Sequence, residues 1–161
     1  MPKIDYIRLD RADHPEWDQV GVLFLKMYSA MDAMDLMVPL AENGSGKWMK
    51  VAKNTAGKFG IVILAKNNDK AVGFAHGMIK FLPDYLGGFP VGMITHVYVN
   101  EEARRSGTGK EMVHDLEEWF NLKNVHSIEL QVISGNPAAR EFWKKLGYKE
   151  ELLQYRKMSS R

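Results

Sequence analysis

At 161 residues the chain is long enough to bury a hydrophobic core, and no apolar run reaches the roughly 20 residues that a membrane-spanning helix needs. With 45% apolar residues, 26% charged residues and a net charge of +2 without a Lys/Arg stripe, it reads as an ordinary cytoplasmic globular protein with no membrane or nucleic-acid partner. The absence of cysteine excludes disulfides, thiolate metal sites and a cysteine nucleophile.

Residues 3 to 9 alternate like a first strand, and the N-terminus lacks the apolar run of a signal peptide. Asp13 and Glu16 have capping-box spacing ahead of a helix with Trp17, Val20, Phe24, Met27, Tyr28 and Met31 on one face. A shorter helix is expected over about 46–56. Residues 61–65 and 71–79 flank the turn residues Asn67, Asn68 and Asp69 and predict a β-hairpin. Beyond the loop at 81–90, a strand is expected over about 92–100. The helix after Gly107 carries Met112, Val113, Leu116, Trp119 and Phe120 on one face. A strand over 127–133, a helix from Asn136 and a last strand over about 148–157 complete the order β-α-α-β-β-β-α-β-α-β. No repeat, low-complexity tract or linker divides the chain, so one domain over 1–161 is expected, an α/β fold with a mixed central sheet.

Two segments carry chemistry. Residues 97–109 read V-Y-V-N-E-E-A-R-R-S-G-T-G, a strand running into a glycine-rich turn that opens a helix. The first N–H groups of that helix have no internal partner and sit at the positive end of its dipole, which suits a phosphate or pyrophosphate. The spacing is not that of a Walker A loop, which needs glycine at Arg104 and Ser or Thr at Glu111. Nor is it the dinucleotide fingerprint, since Met112 stands where the third glycine belongs. Residues 136–148 read N-P-A-A-R-E-F-W-K-K-L-G-Y. Asn136 suits an N-cap, Pro137 the first helical position and Gly147 the helix end, while Ala139, Phe142, Trp143 and Leu146 share an apolar face.

The run Arg104-Arg105-Ser106-Gly107-Thr108-Gly109 resembles the acyl-CoA pyrophosphate loop of the GCN5-related N-acetyltransferase (GNAT) superfamily. The Asn136 helix resembles that superfamily's other signature, and the two occur in the family's order. The resemblance is close over this half of the chain; residues 1–60 match only in element order. It implies helices on both faces of the mixed sheet and two splayed strands forming an acyl-CoA cleft. It further implies that Val97, Tyr98 and Val99 hold the pantetheine arm and that Arg104, Arg105, Ser106, Gly107, Thr108, Gly109 and Lys110 hold the pyrophosphate. Asn136 would face the pantetheine, with Ala139, Phe142 and Trp143 along the adenosine side.

The activity implied is direct transfer of an acetyl group from acetyl-CoA to a primary amine, on a small molecule or a peptide. The alternative is a non-catalytic acyl-CoA-binding or sensing domain. Two departures from the family pattern bear on that choice. Trp143 stands where the family has the tyrosine that protonates the leaving thiolate, and an indole N–H is no practical acid. Tyr148 or Tyr155 could substitute, or the thiolate could leave unassisted. Glu101 replaces a usual proline.

His96, beside the cofactor strand and titrating near neutrality, is the candidate base, with His76 a weaker one. Thr95 has the opposite parity, and a bulge here would change which of Thr95 and His96 meets the pocket. His114 falls on a polar helix face, and no metal-ligand spacing occurs. Family acceptor specificity resides in the first helices and following loops. There Asp32, Asp35 and Glu42 could attract a cationic amine and Met31, Met34 and Met37 could form an adaptable wall, or the segment could simply be packing. The loop at 81–90, with Tyr85, could cover the pocket or form a contact in a homodimer.

Overall fold

The computed structural model describes residues 3–160; Met1, Pro2 and Arg161 of the expected domain lie outside them. Its elements in chain order are β1 (Ile4–Leu9), α1 (Trp17–Asp32), α2 (Gly44–Thr55), β2 (Gly60–Asn67), β3 (Lys70–Phe81), β4 (Pro90–Val99), α3 (Thr108–Leu122), β5 (Ile128–Leu130) and α4 (Pro137–Lys145). The strands form one sheet in the order β1-β2-β3-β4-β5. The first four are antiparallel neighbours, and β5 runs parallel to β4, so the sheet is mixed as expected.

Alternation along β2 explains why both sheet faces are covered. Ile61, Ile63 and Ala65 enter one core with Met112, Val113, Leu116 and Phe120 of α3. Val62 and Leu64 enter the other with Val20, Leu23 and Phe24 of α1 and Ala52 of α2. A strand buried on both sides therefore reads as a continuous apolar run. Helix α3 lies close against the sheet because Gly77 and Gly92 have no side chain beneath it. A Cβ at either would come within 2.7 Å of the Phe120 ring. No helix among the described residues is long and apolar enough to cross a membrane.

Three sequence expectations need correction. The capping box at Asp13 and Glu16 does not form: Glu16 is the N-cap of α1 but makes no side-chain cap hydrogen bond. Its carboxylate instead pairs with Lys66 Nζ at 2.7 Å and accepts from the Gln19 amide. Lys66 is only 8% exposed, and a buried ammonium needs a counter-charge more than a helix end needs a cap. The strand expected over 127–133 shrinks to Ile128–Leu130, the three residues that find partners on β4. The last strand, over 148–157, is absent. Tyr148 donates to Glu117 on α3 at 2.9 Å, and Arg140 of α4 holds Glu150 at 2.7 Å, after which the chain runs off exposed. A suitable sequence does not by itself make a strand, and the tail pairs with no strand among the described residues.

Candidate active site

The site arises from incomplete pairing. Strand β5 pairs with β4 only at Gly92, Met93 and Ile94. From Thr95 to Val99, β4 keeps β3 on one side and, among the described residues, has no strand on the other. The register with β3 also slips there: His76 faces His96 and Gly77 faces Ile94, leaving Thr95 unmatched. This is the bulge that the Thr95–His96 parity allowed for, and a bulge adds local twist where the strands part.

The resulting cleft encloses about 270 Å³. One wall is β4 from Ile94 to Val99, and the facing wall is the chain from Leu130 to Ile133. Asn136, Ala139, Phe142 and Trp143 of the α4 segment close one end, Arg104 joins them, and Met27, Ala30, Met31 and Met34 approach from the end of α1. Asn136 forms the expected cap, its Oδ1 accepting from the Ala139 N–H at 3.1 Å.

At the exit of β4 a 3-10 turn (Glu101–Ala103) leads into the glycine-rich loop. Arg104 Nε donates to the Val99 carbonyl at 2.9 Å, and its guanidinium lies over the Tyr98 ring. Arg105 and Gly107 take the left-handed conformation, with φ of 64° and 83°. Gly107 is the N-cap of α3 and offers no side-chain acceptor, so the N–H groups of Thr108, Gly109 and Lys110 have no partner among the described residues. Ser106 Oγ bonds to Thr108 Oγ1 at 2.7 Å, tightening the turn. Gly109 ties the loop to the cleft: a Cβ there would touch Phe142 at 3.5 Å and Val99 at 3.7 Å.

The histidines form a buried group on the α1 face of the sheet. Thr95 Oγ1 lies 2.5 Å from His76 Nδ1, 2.8 Å from His96 Nδ1 and 3.2 Å from the His76 carbonyl. His76 is 2% exposed, and its Nε2 has no partner. The Trp48 ring presents an edge to both imidazoles, at 5.3 Å and 5.4 Å, and stacks on Phe24. Burial lowers the His96 pKa to about 4. His76 is lowered to about 3, first by burial and then by the charge His96 would carry. Both rings are therefore neutral at physiological pH.

Of the residues singled out from sequence, the cleft gathers His96, Val97, Tyr98, Val99, Arg104, Asn136, Ala139, Phe142 and Trp143. Arg105, Ser106, Gly107, Thr108, Gly109 and Lys110 form the turn beyond its rim. Tyr148 is not among the lining residues; it packs edge-on against Trp143, and its hydroxyl serves Glu117. Burial and that carboxylate push its pKa well up. Tyr155 is 88% exposed in the tail. Asp32, Asp35 and Glu42 are exposed around the end of α1, and the loop at 81–90 does not reach the cleft. Sequence reasoning overlooked Ala30, although 27, 30, 31 and 34 share one helical face, and Gln131 and Val132, which carry no local signal. Among the described residues no group of acidic or histidine side chains could hold a metal ion.

A sheet opened beside its fourth strand, with a phosphate-suited helix start at that strand's end, defines an acetyltransferase-type α/β protein. The sequence model of the acetyltransferase (GNAT) family matches residues 27–148, and the chain belongs to that family. Members use acetyl-CoA as acyl donor. Among solved structures, aminoglycoside N-acetyltransferase AAC(6')-Iy in complex with CoA superposes with a TM-score of 0.76 at 14% identity, covering 98% of this chain and 96% of its own. The same enzyme with a bisubstrate analogue, CoA-S-monomethyl-acetylneamine, gives 0.74 at 15% identity, covering 98% and 99%. A transcriptional regulator from Bacillus halodurans C-125 gives 0.73 at 20% identity, covering 96% and 99%. No curated protein matches the sequence.

Proposed function

We propose that this protein transfers an acetyl group from acetyl-CoA directly to a primary amine of a small molecule. The observation that carries the reading is the junction of three features: the unpaired stretch of β4, the unpartnered N–H groups of α3, and His96 on the cleft wall. The open backbone from Thr95 to Val99 can pair with the amides of a pantetheine arm as an added strand would. The N–H groups of Thr108, Gly109 and Lys110 suit the pyrophosphate, with Arg104, Arg105, Ser106 and Gly107 completing the turn. Asn136, Ala139, Phe142 and Trp143 border the opposite side of the arm.

In the reaction the amine nitrogen attacks the thioester carbonyl, a C–N bond forms, and the C–S bond breaks to release the thiolate of CoA. A free backbone N–H of the open strand receives the oxyanion. His96 takes the proton from the nitrogen as the adduct forms. Its low pKa makes it a poor base for a free ammonium. It stays uncharged at neutral pH, however, and can accept from the far more acidic N–H of the adduct. Thr95 sets the tautomer this requires. With its one proton donated to the His76 carbonyl, the hydroxyl accepts from both Nδ1 atoms, which then carry their own protons. The lone pair of His96 is then on Nε2. His76 follows the same logic, since its orphaned Nε2 is then an acceptor rather than an unmet N–H. With Tyr148 committed to Glu117, the thiolate departs without a protein acid, as its moderate basicity permits.

The acceptor enters at the α1 end, where Met31 and Met34 line the cleft and the neighbouring residues Asp32 and Asp35 are exposed. The fold shared with aminoglycoside acetyltransferases supports a small polyamine-like acceptor. Calorimetric titration with acetyl-CoA tests the donor site. Micromolar binding is expected, and Gly107→Asp should weaken it at least tenfold. Aspartate is among the residues that adopt the left-handed conformation at modest strain, and a Cβ at Gly107 meets nothing within 4 Å, so circular dichroism should show the variant folded. Its carboxylate would repel the pyrophosphate. No binding by the native protein overturns the reading; binding without turnover on any amine leaves the acyl-CoA sensor instead.

A further inference from the structure

His76 stands on β3 opposite His96 in the register and is almost fully buried. His96 lines the cleft, whereas His76 is not among its lining residues. Its surroundings are those of a core: the Trp48 edge lies 5.3 Å away, and Phe74, two residues earlier on the strand, packs under α1 and α2. An imidazole in such a place loses its hydration, and its Nε2 has no partner among the described residues. Leucine would fill the same space without an orphaned nitrogen. The hydrogen bond that the ring does make runs from Nδ1 to Thr95 Oγ1, at 2.5 Å. Thr95 in turn meets His96 Nδ1 at 2.8 Å, so one hydroxyl links two rings whose centroids are 6.1 Å apart.

We propose that His76 is a positioning residue: from outside the cleft, its ring holds the Thr95 hydroxyl where it fixes the tautomer of His96. The proposal rests on the reading of His96 as the base. The bulge creates the need. Thr95 has no register partner on β3, so the strand ladder does not place it, and its hydroxyl is tethered by His76 instead. The carbonyl contact, at 3.2 Å, is the longer of the two tethers, and the ring contact is the shorter. Held in this rotamer, Oγ1 accepts the Nδ1–H of His96 and leaves the lone pair on Nε2. A neutral imidazole without such an acceptor favours the opposite tautomer, with its hydrogen on the nitrogen that has to receive the proton. The buried ring and its orphaned Nε2 are the structural cost of holding that hydroxyl.

His76→Leu and His76→Asn separate this role from packing. Leucine fills the apolar site and cannot donate, whereas the asparagine amide can place an N–H where Nδ1–H stands. The leucine variant should be folded by circular dichroism and melt no earlier than the native protein. Its kcat for acetyl transfer should nevertheless fall about threefold to tenfold, with KM for acetyl-CoA unchanged. The asparagine variant leaves space in the core and should melt earlier, yet keep most of the native kcat. The ¹⁵N spectrum of His96 reads the link itself. A single Nδ1–H tautomer is expected in the native protein and the asparagine variant, and a mixture in the leucine variant. In a Thr95→Val background, His76→Leu should lower kcat no further, because the link is already cut. A native kcat and spectrum in the leucine variant overturns the proposal. So does loss of the single tautomer in the asparagine variant, a kcat that follows melting temperature across the two, or additive losses in the double variant. If the native protein acetylates no amine, the reading of the cleft fails, and the spectra still decide whether His76 sets the tautomer of His96.

Discussion

The two halves of β4 belong to one strand and are surrounded differently. From Gly92 to Ile94 the strand is paired on both sides, with the Phe120 ring against Gly92. From Thr95 to Val99 it has β3 alone, and the side chains change from packing material to a histidine group and a cleft wall. The cleft here is made by withholding a strand, not by adding a pocket to a finished sheet. The closed half is packed on both sides and the open half lines the cleft, so substitutions in the two halves should be felt in different measurements.

The largest contrast is expected from His96→Gln, which keeps the size of the side chain and removes its ability to take a proton. Its kcat should fall about 10²–10⁴-fold with acetyl-CoA binding intact; a loss below tenfold would reduce His96 to packing. Acid should expose the open half next. Because the folded pKa of His96 lies near 4, below its ordinary 6.5, the unfolded chain binds the extra proton first. Stability present above pH 6.5 is therefore lost as pH falls toward 4, by roughly 3 kcal/mol for a shift of this size. His76 acts in the same direction over a window reaching nearer pH 3. Denaturant titrations at pH 7 and 4.5 measure this, and His96→Gln should flatten the dependence.

In the closed half, Gly92→Ala puts a methyl 2.7 Å from Phe120 and should cost about 1–3 kcal/mol in the same denaturation assay. Activity per folded molecule should not change, and a fall in kcat would show the halves to be coupled. The smallest effect is expected from Thr95→Val, which keeps the shape and removes the hydroxyl. One lost orienting hydrogen bond of about 1 kcal/mol lowers kcat several-fold to tenfold. The distinguishing readout is ¹⁵N NMR of the imidazole, where His96 should lose its single Nδ1–H tautomer. An unchanged spectrum would remove Thr95 from the account.

What could be read from the sequence was what is decided locally. The turn at Gly107, the Asn136 cap and the apolar faces of α1 and α3 each depend on neighbours a few residues away, and each was recognisable from its own spacing. The hairpin between β2 and β3 belongs with them. Glu16 was misread because its partner, Lys66, lies 50 residues on. The final strand was misread because composition reports only suitability, while the start of the tail is held by Glu117 of α3 and Arg140 of α4. Thr95 is an intermediate case. The consequence of a bulge for Thr95 and His96 could be stated from parity, but the bulge itself and the shared hydroxyl depend on His76 from the adjacent strand, a relation with no trace in local pattern.

Trp48 gives the histidine group an optical readout. Its indole lies edge-on to both imidazoles and stacks on Phe24, within the range at which a protonated ring quenches indole emission more strongly than a neutral one. The charge of this buried group should therefore be visible in ordinary fluorescence. With the other three tryptophans replaced, the emission of Trp48 would follow proton uptake at the group without any added label.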